Sequence, residues 1–212
     1  MHKVRIRREF LIQSLLLAAI LCFVFPRTFF FGEMVHPGGL LFEMAPWKHH
    51  VPAGLEAPAN PVTVEYLTCF HAFFTASQQS LTAGEWPLWN PLEFAGVPLH
   101  ANYQSTIFYP PRILHSMIDV AVASSLLMIL KFWLCGMTAY VYGRVIRLNV
   151  WPARFLSVAW MLSSYNLLWC YWPLADVGAW VPLLLAGVEL LLRDRHRQGF
   201  AIIAIAATLL LL

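Results

Sequence analysis

Charge is what this chain has least of: Asp, Glu, Lys and Arg make up 12% of its 212 residues, where an ordinary soluble domain carries about 25%. No GxGxxG, Walker loop, HExxH or EF-hand pattern occurs, so the usual phosphate-cradling and metalloprotease signatures are excluded. No basic tract of nucleic-acid type is present either, which leaves out nucleic acid as a partner. The four cysteines, at positions 22, 69, 135 and 170, contain no CxxC pair. Three of them fall in or beside apolar runs, so they read as small buried hydrophobes and not as a disulfide or metal framework.

What fills the space is apolar: 59% of residues are hydrophobic and 15% aromatic, with nine Trp. Long apolar runs with little charge are how membrane helices read, and Trp and Tyr favour membrane–water interfaces. Residues 1–9 hold Lys3, Arg5, Arg7 and Arg8. A first run follows over 10–32; without an A-x-A site after it, it reads as an uncleaved anchor with Arg27 snorkelling outward. Further runs span 120–145, 155–171, 177–192 and 200–212, and a long polar, aromatic, Pro-rich stretch occupies 33–119.

The charges orient these runs. With a cytoplasmic N-terminus, the inside loops carry Arg144, Arg147, Arg154, Arg193, Arg195 and Arg197. The outside loop 33–119 carries Glu33, Glu43, Glu56, Glu65, Glu85 and Glu93 against Lys48 and Arg112. The positive-inside rule holds at every turn. The expectation is an all-α polytopic membrane protein in a bacterial inner membrane, with membrane lipids as neighbours. The run from 200 stays apolar to Leu212 and is short of a roughly 30 Å core, so the chain is expected to be the N-terminal part of a longer protein.

Within the loop, Asn60–Pro61 marks a helix entry. Val64, Leu67, Phe70, Phe73, Phe74 and Leu81 recur at three- and four-residue spacing, which predicts an amphipathic helix over 62–82 lying along the membrane surface. Prolines at 87, 91, 98 and 110 forbid long helices in the next stretch. Pro111 opens a second short helix over 111–118. The chain must return from the end of the first helix to the start of the second, which predicts that residues 86–112 lie back over the helix bearing Glu65.

The segment GEWPLWNPLEFAGVPLHANYQSTIFYPPRIL, Gly84 to Leu114, combines Gly-x-x-Pro-Leu-Trp-Asn-Pro, Phe-x-Gly-x-Pro, Ala-Asn-x-Gln-Ser and Phe-Tyr-Pro. So many residue types at fixed spacing resemble the YfhO-type family of bacterial membrane proteins, of the glycosyltransferase C superfamily. Ala45–Pro46–Trp47, Asn60–Pro61 and AWVPLLLAGVELLLR from Ala179 to Arg193 extend the resemblance. It implies a glycosyltransferase C-type N-terminal part with a large outer loop bearing amphipathic surface helices. It further implies transfer of a sugar from a polyprenyl-phosphate carrier to an acceptor at the outer face. A transporter or flippase of lipid-linked intermediates, or a non-catalytic envelope assembly protein, would use the same loop without needing a base.

In that superfamily an acidic residue of the first outer loop serves as catalytic base or metal ligand. The family often has Asp a few residues after Asn-Pro; here Glu65 stands in its place. A divalent metal is the one cofactor such a role admits, and no metal ligand set is assigned. Glu65 also has a case of its own. A carboxylate near a helix start is favoured by the helix dipole, and a pocket at the bilayer surface would raise its pKa toward that of a base. Otherwise it is a solvated helix charge.

Trp86 and Trp89 offer flat faces for a sugar or isoprenoid, or anchor the interface. Asn90, Asn102 and Gln104 offer hydrogen bonds to sugar hydroxyls, or cap turns. Arg112 fits a lipid-linked phosphate or phospholipid headgroups. Glu43 with His49 and His50 is a conceivable metal set, against a solvated loop. Lys131 stands inside an apolar run, where a cation is functional by default or pairs with another helix. Asp176 is the one acid of the short second outer loop and matches no motif.

Overall fold

The computed structural model describes residues 2–55 and 60–211, with side chains from residue 7. Glu56 and Leu212, which entered the reading of the outer loop and of the last run, lie outside the described residues. The chain is mostly helical with almost no sheet. Among the described residues, two helical stretches, Val120–Val145 and Pro173–Leu192, are long and apolar enough to cross a membrane by length and composition. The chain divides into two compact units: one of residues up to 33, 129–167 and 175–211, the other of 34–128 and 168–174.

In the first unit, α1 covers His2–Val24 and α2 covers Pro26–Phe31. The run read as one span over 10–32 is thus interrupted at Pro26, whose ring and missing N–H break the helical ladder. Gly32, in the left-handed region at φ 68°, ends α2. The long helix Val120–Val145 has the bounds read from the sequence. Asp119 fixes its start, its carboxylate accepting from the N–H groups of Ala121 and Val122.

The apolar run over 155–171 is not one helix. Val150–Met161 is helical, a turn follows, and Ser164–Leu168 is a separate short helix. A 12-residue helix is about 18 Å long, less than a bilayer core. Asn166 causes the fold-back: it is fully buried, and its amide donates to the carbonyl of Trp160 at 2.7 Å. Trp160 in turn donates its indole N–H to the carbonyl of Gly178 at 2.9 Å. The run read over 177–192 begins with a 3-10 segment, Pro173–Ala179, before Val181–Leu192; the last run forms His196–Leu211.

Polar side chains stitch this unit internally. Gln13 donates to Ser157 Oγ at 2.9 Å, and Ser157 donates to the carbonyl of Gly136 at 2.6 Å. Val181–Leu192 and His196–Leu211 meet at glycines: a Cβ on Gly187 would lie 3.1 Å from the carbonyl of Gly199, and one on Gly199 only 2.9 Å from that of Gly187. Such backbone approach is the way small residues let apolar helices pack.

The second unit is built on one helical stretch. Pro61–Thr63 is 3-10, Tyr66–Phe70 is a π-turn and α3, His71–Thr82, is regular. Asn60 caps it, accepting from the N–H of Val62 and donating to the carbonyl of Leu168. The two-residue strands β1, Trp89–Asn90, and β2, Val97–Pro98, pair antiparallel, and β1 touches α3. Pro110–Ile113 and Leu114–Met117 make the second short helix, which also packs on α3. Gln78 of α3 holds its end, donating to the carbonyls of His115 and Ile118 at 2.7 and 2.9 Å.

Candidate functional site

Where the end of α3 meets the 107–116 segment, an open cleft of about 210 Å³ forms. Its lining includes Ser77, Leu81, Trp86, Phe108, Tyr109 and Arg112. Arg112 is the only charged residue in that lining among the described residues. Its Nε donates to Thr106 Oγ1 at 3.1 Å, and its guanidinium lies 4.6 Å over the ring of Phe74 and 5.9 Å from that of Tyr109. A half-buried guanidinium held between aromatic faces presents a planar donor fork. The hydroxyl-bearing Ser77, Tyr109 and Ser116 stand around it. This chemistry suits an anion carrying an apolar or ring-shaped portion.

Of the residues singled out in the sequence, the cleft gathers Trp86 and Arg112. Trp86 is 73% exposed at its rim. The others lie elsewhere. Trp89 covers the hairpin: a Cβ on Gly96 would fall 2.6 Å from its ring. Asn90 is buried, and its Oδ1 accepts from the N–H of Leu92 at 3.0 Å. Asn102 accepts from the N–H of Gln104 at 3.0 Å. Both amide oxygens thus accept from backbone N–H groups within their own turns. Gln104 is half-buried and outside the cleft lining.

Glu65 is half-buried just before the π-turn and is not among the residues lining the cleft. Among the described residues, no carboxylate lines it. Among the described residues no three His, Cys, Asp or Glu side chains come together to hold a metal ion. That includes Glu43 with His49 and His50. The described residues do not fit a divalent metal.

Beneath the cleft lies a group that the sequence did not announce. Phe74 stacks on His115 with ring centres 4.3 Å apart, and His115 Nε2 shares a 2.9 Å hydrogen bond with Ser124 Oγ. Burial, aided by Arg112, pushes His115 down to about 3. Further along the same helical stretch, Tyr66 shares a 3.3 Å hydrogen bond with His71 Nδ1. The ring of His36 stands edge-on to Tyr66. Burial lowers the pKa of both His36 and His71 and pushes Tyr66 up to about 12. His36, Tyr66 and His71 are far apart in sequence or on a π-turn with altered phase, so spacing gave no signal.

In the first unit, Lys131 and Asp176 form an ion pair, Nζ to Oδ1 3.7 Å, with side chains 4% and 16% exposed. The cation inside the apolar helix therefore has an acidic counter-charge within this chain. None of the protein-family profiles, curated proteins or solved structures compared with the chain matches it.

Proposed function

We propose that this chain belongs to a multi-pass inner-membrane protein, with residues 33–119 on the outer side, that binds a polyprenyl-phosphate-linked sugar. The single observation that carries the reading is the Arg112 cleft. It offers a guanidinium set against aromatic walls, the complement of a phosphate joined to an apolar chain. Two long apolar helices support the membrane setting. So do the outward Phe23, Phe31, Phe155 and Leu192 of the first unit, large side chains that water would not keep exposed. The Gly84–Leu114 motif, with its likeness to a glycosyltransferase family, supports sugar transfer as the activity, with Glu65 as base.

A second reading, transport or flipping of the same lipid-linked sugar, has one observation in its favour. Glu65 stands outside the cleft lining, and a flippase needs no base. Binding of polyprenyl phosphate to the protein purified in detergent, followed by native mass spectrometry, tests the shared core. The native protein binds it, and Arg112→Ala weakens binding roughly tenfold or more, the loss of one charge-assisted contact. No binding by the native protein overturns the proposal. Glu65→Gln separates the two readings. Sugar transfer is present in the native protein and lost in the variant with binding kept if Glu65 is the base, whereas a protein that only moves lipid shows no transfer in either form and keeps binding in both.

A further inference from the structure

We infer that the tip of the β1–β2 hairpin is a membrane-inserting wedge, with Leu92 and Phe94 entering the lipid headgroup and upper acyl region. This rests on the membrane setting proposed above and goes beyond it, since neither residue belongs to the Arg112 cleft. The tip reverses the order that water imposes. Leu92 is 74% and Phe94 is 93% exposed, while the charged Glu93 between them is only half-exposed. A loop built for solvent would present the carboxylate and tuck the apolar side chains away.

The backbone is arranged to hold that presentation. Phe94, Ala95 and Gly96 are all left-handed, at φ 49°, 63° and 114°. For Phe and Ala this region costs about 1–2 kcal/mol per residue, and a bulky residue there is an outlier. The Gly96 N–H bonds the carbonyl of Glu93 at 2.6 Å, closing the turn. The ring of Trp89 lies so close over Gly96 that no side chain fits there. The buried Asn90 fixes the other arm through the N–H of Leu92. Strain spent on a rigid, outward Phe points to a surface that receives it. The receiving surface is lipid, because the hairpin is tethered in the chain to the apolar helix Val120–Val145 that begins shortly after it. A bilayer is then always at hand, whereas a second copy must diffuse to it.

Nitroxide labels at Leu92→Cys and Phe94→Cys test this, with Cys22, Cys69, Cys135 and Cys170 replaced by alanine. The protein is reconstituted in phosphatidylcholine–phosphatidylglycerol vesicles. Collision with oxygen, which partitions into lipid, is compared with collision with an aqueous nickel chelate. Glu85→Cys, an exposed site of the same unit, serves as the water reference, and Leu130→Cys on the long apolar helix as the lipid reference. The expected result is oxygen excess at 92, 94 and 130 and nickel excess at 85. Nickel excess at 92 and 94 with oxygen excess at 130 overturns the wedge and leaves the membrane setting intact. Nickel excess at 130 as well overturns the membrane setting itself. Labels at 92 and 94 shielded from both reagents overturn the wedge in favour of a protein contact.

Discussion

Lys131 lies 3.7 Å from Asp176, across 45 residues of sequence, with both side chains largely out of solvent. A buried charge is tolerated because its partner is present, so removing one member leaves the other stranded. Lys131→Met and Asp176→Asn are each expected to destabilise the protein by about 3–5 kcal/mol. The double variant is expected to recover much of that loss. Unfolding in detergent followed by circular dichroism measures the coupling, and additive single effects would show that the pair is not what holds these residues.

Acid acts on the second unit through His115. Its folded pKa, about 3, lies below the ordinary 6.5, so between these values the unfolded chain binds the extra proton. Stability contributed by the neutral imidazole is therefore full above about pH 6.5 and is lost as pH falls toward 3, by up to about 1.4 kcal/mol per unit. Burial lowers His36 and His71 in the same direction, while Asp119 opposes it at both. His115→Gln is expected to flatten the acid limb of a thermal-stability profile taken from pH 7 to pH 4. An unchanged limb would place the sensitivity elsewhere.

The glycine contact between Val181–Leu192 and His196–Leu211 leaves no room for a side chain, since a Cβ at Gly187 would come 2.7 Å from Ile203. Gly187→Val is expected to force the two helices apart at a cost of about 1–3 kcal/mol. Val188→Ala, at a more exposed neighbour, is expected to be nearly neutral. Denaturant titration of the two variants distinguishes local crowding from a general loss of helix.

Orientation follows from the arginines. Cysteines introduced at Glu85 and His100, both exposed, are expected to react with a membrane-impermeant maleimide added to intact cells or spheroplasts, and one at Arg195 to react only after permeabilisation. Labelling at 195 alone before permeabilisation would reverse the assignment of 33–119 to the outer side.

How much of this could be read beforehand depended on whether a feature was local. The helix Val120–Val145 was legible because a continuous apolar run needs nothing from elsewhere in the chain. The helical stretches at 61–82 and 110–117 were legible from spacing and proline. The break after Met161 was not, because no Pro or Gly marks it and a buried amide at Asn166 makes it. The counter-charge of Lys131 was hidden for the same reason: it comes from tertiary packing. In the cleft, Trp86 and Arg112 are the lining residues that the sequence singles out by their chemistry. The histidines beneath were missed because isolated His residues carry no spacing signal.

The π-turn at Tyr66–Phe70 makes the helix keep two separate counts. Such a turn is an α-helix with one residue in excess, so a wheel drawn straight through 62–82 misplaces one side by about one residue, roughly 100°. The stripe joining Val64 and Leu67 to Phe73 and Leu81 is therefore two stripes, and the heading of Glu65 cannot be deduced from the buried face of α3. The surplus also makes this the spot where the helix can shorten. Deleting the exposed Thr68 closes the turn into ordinary α-helix and leaves both flanks facing as before. Deleting a residue inside α3 would instead rotate Gln78 away from the carbonyls it holds.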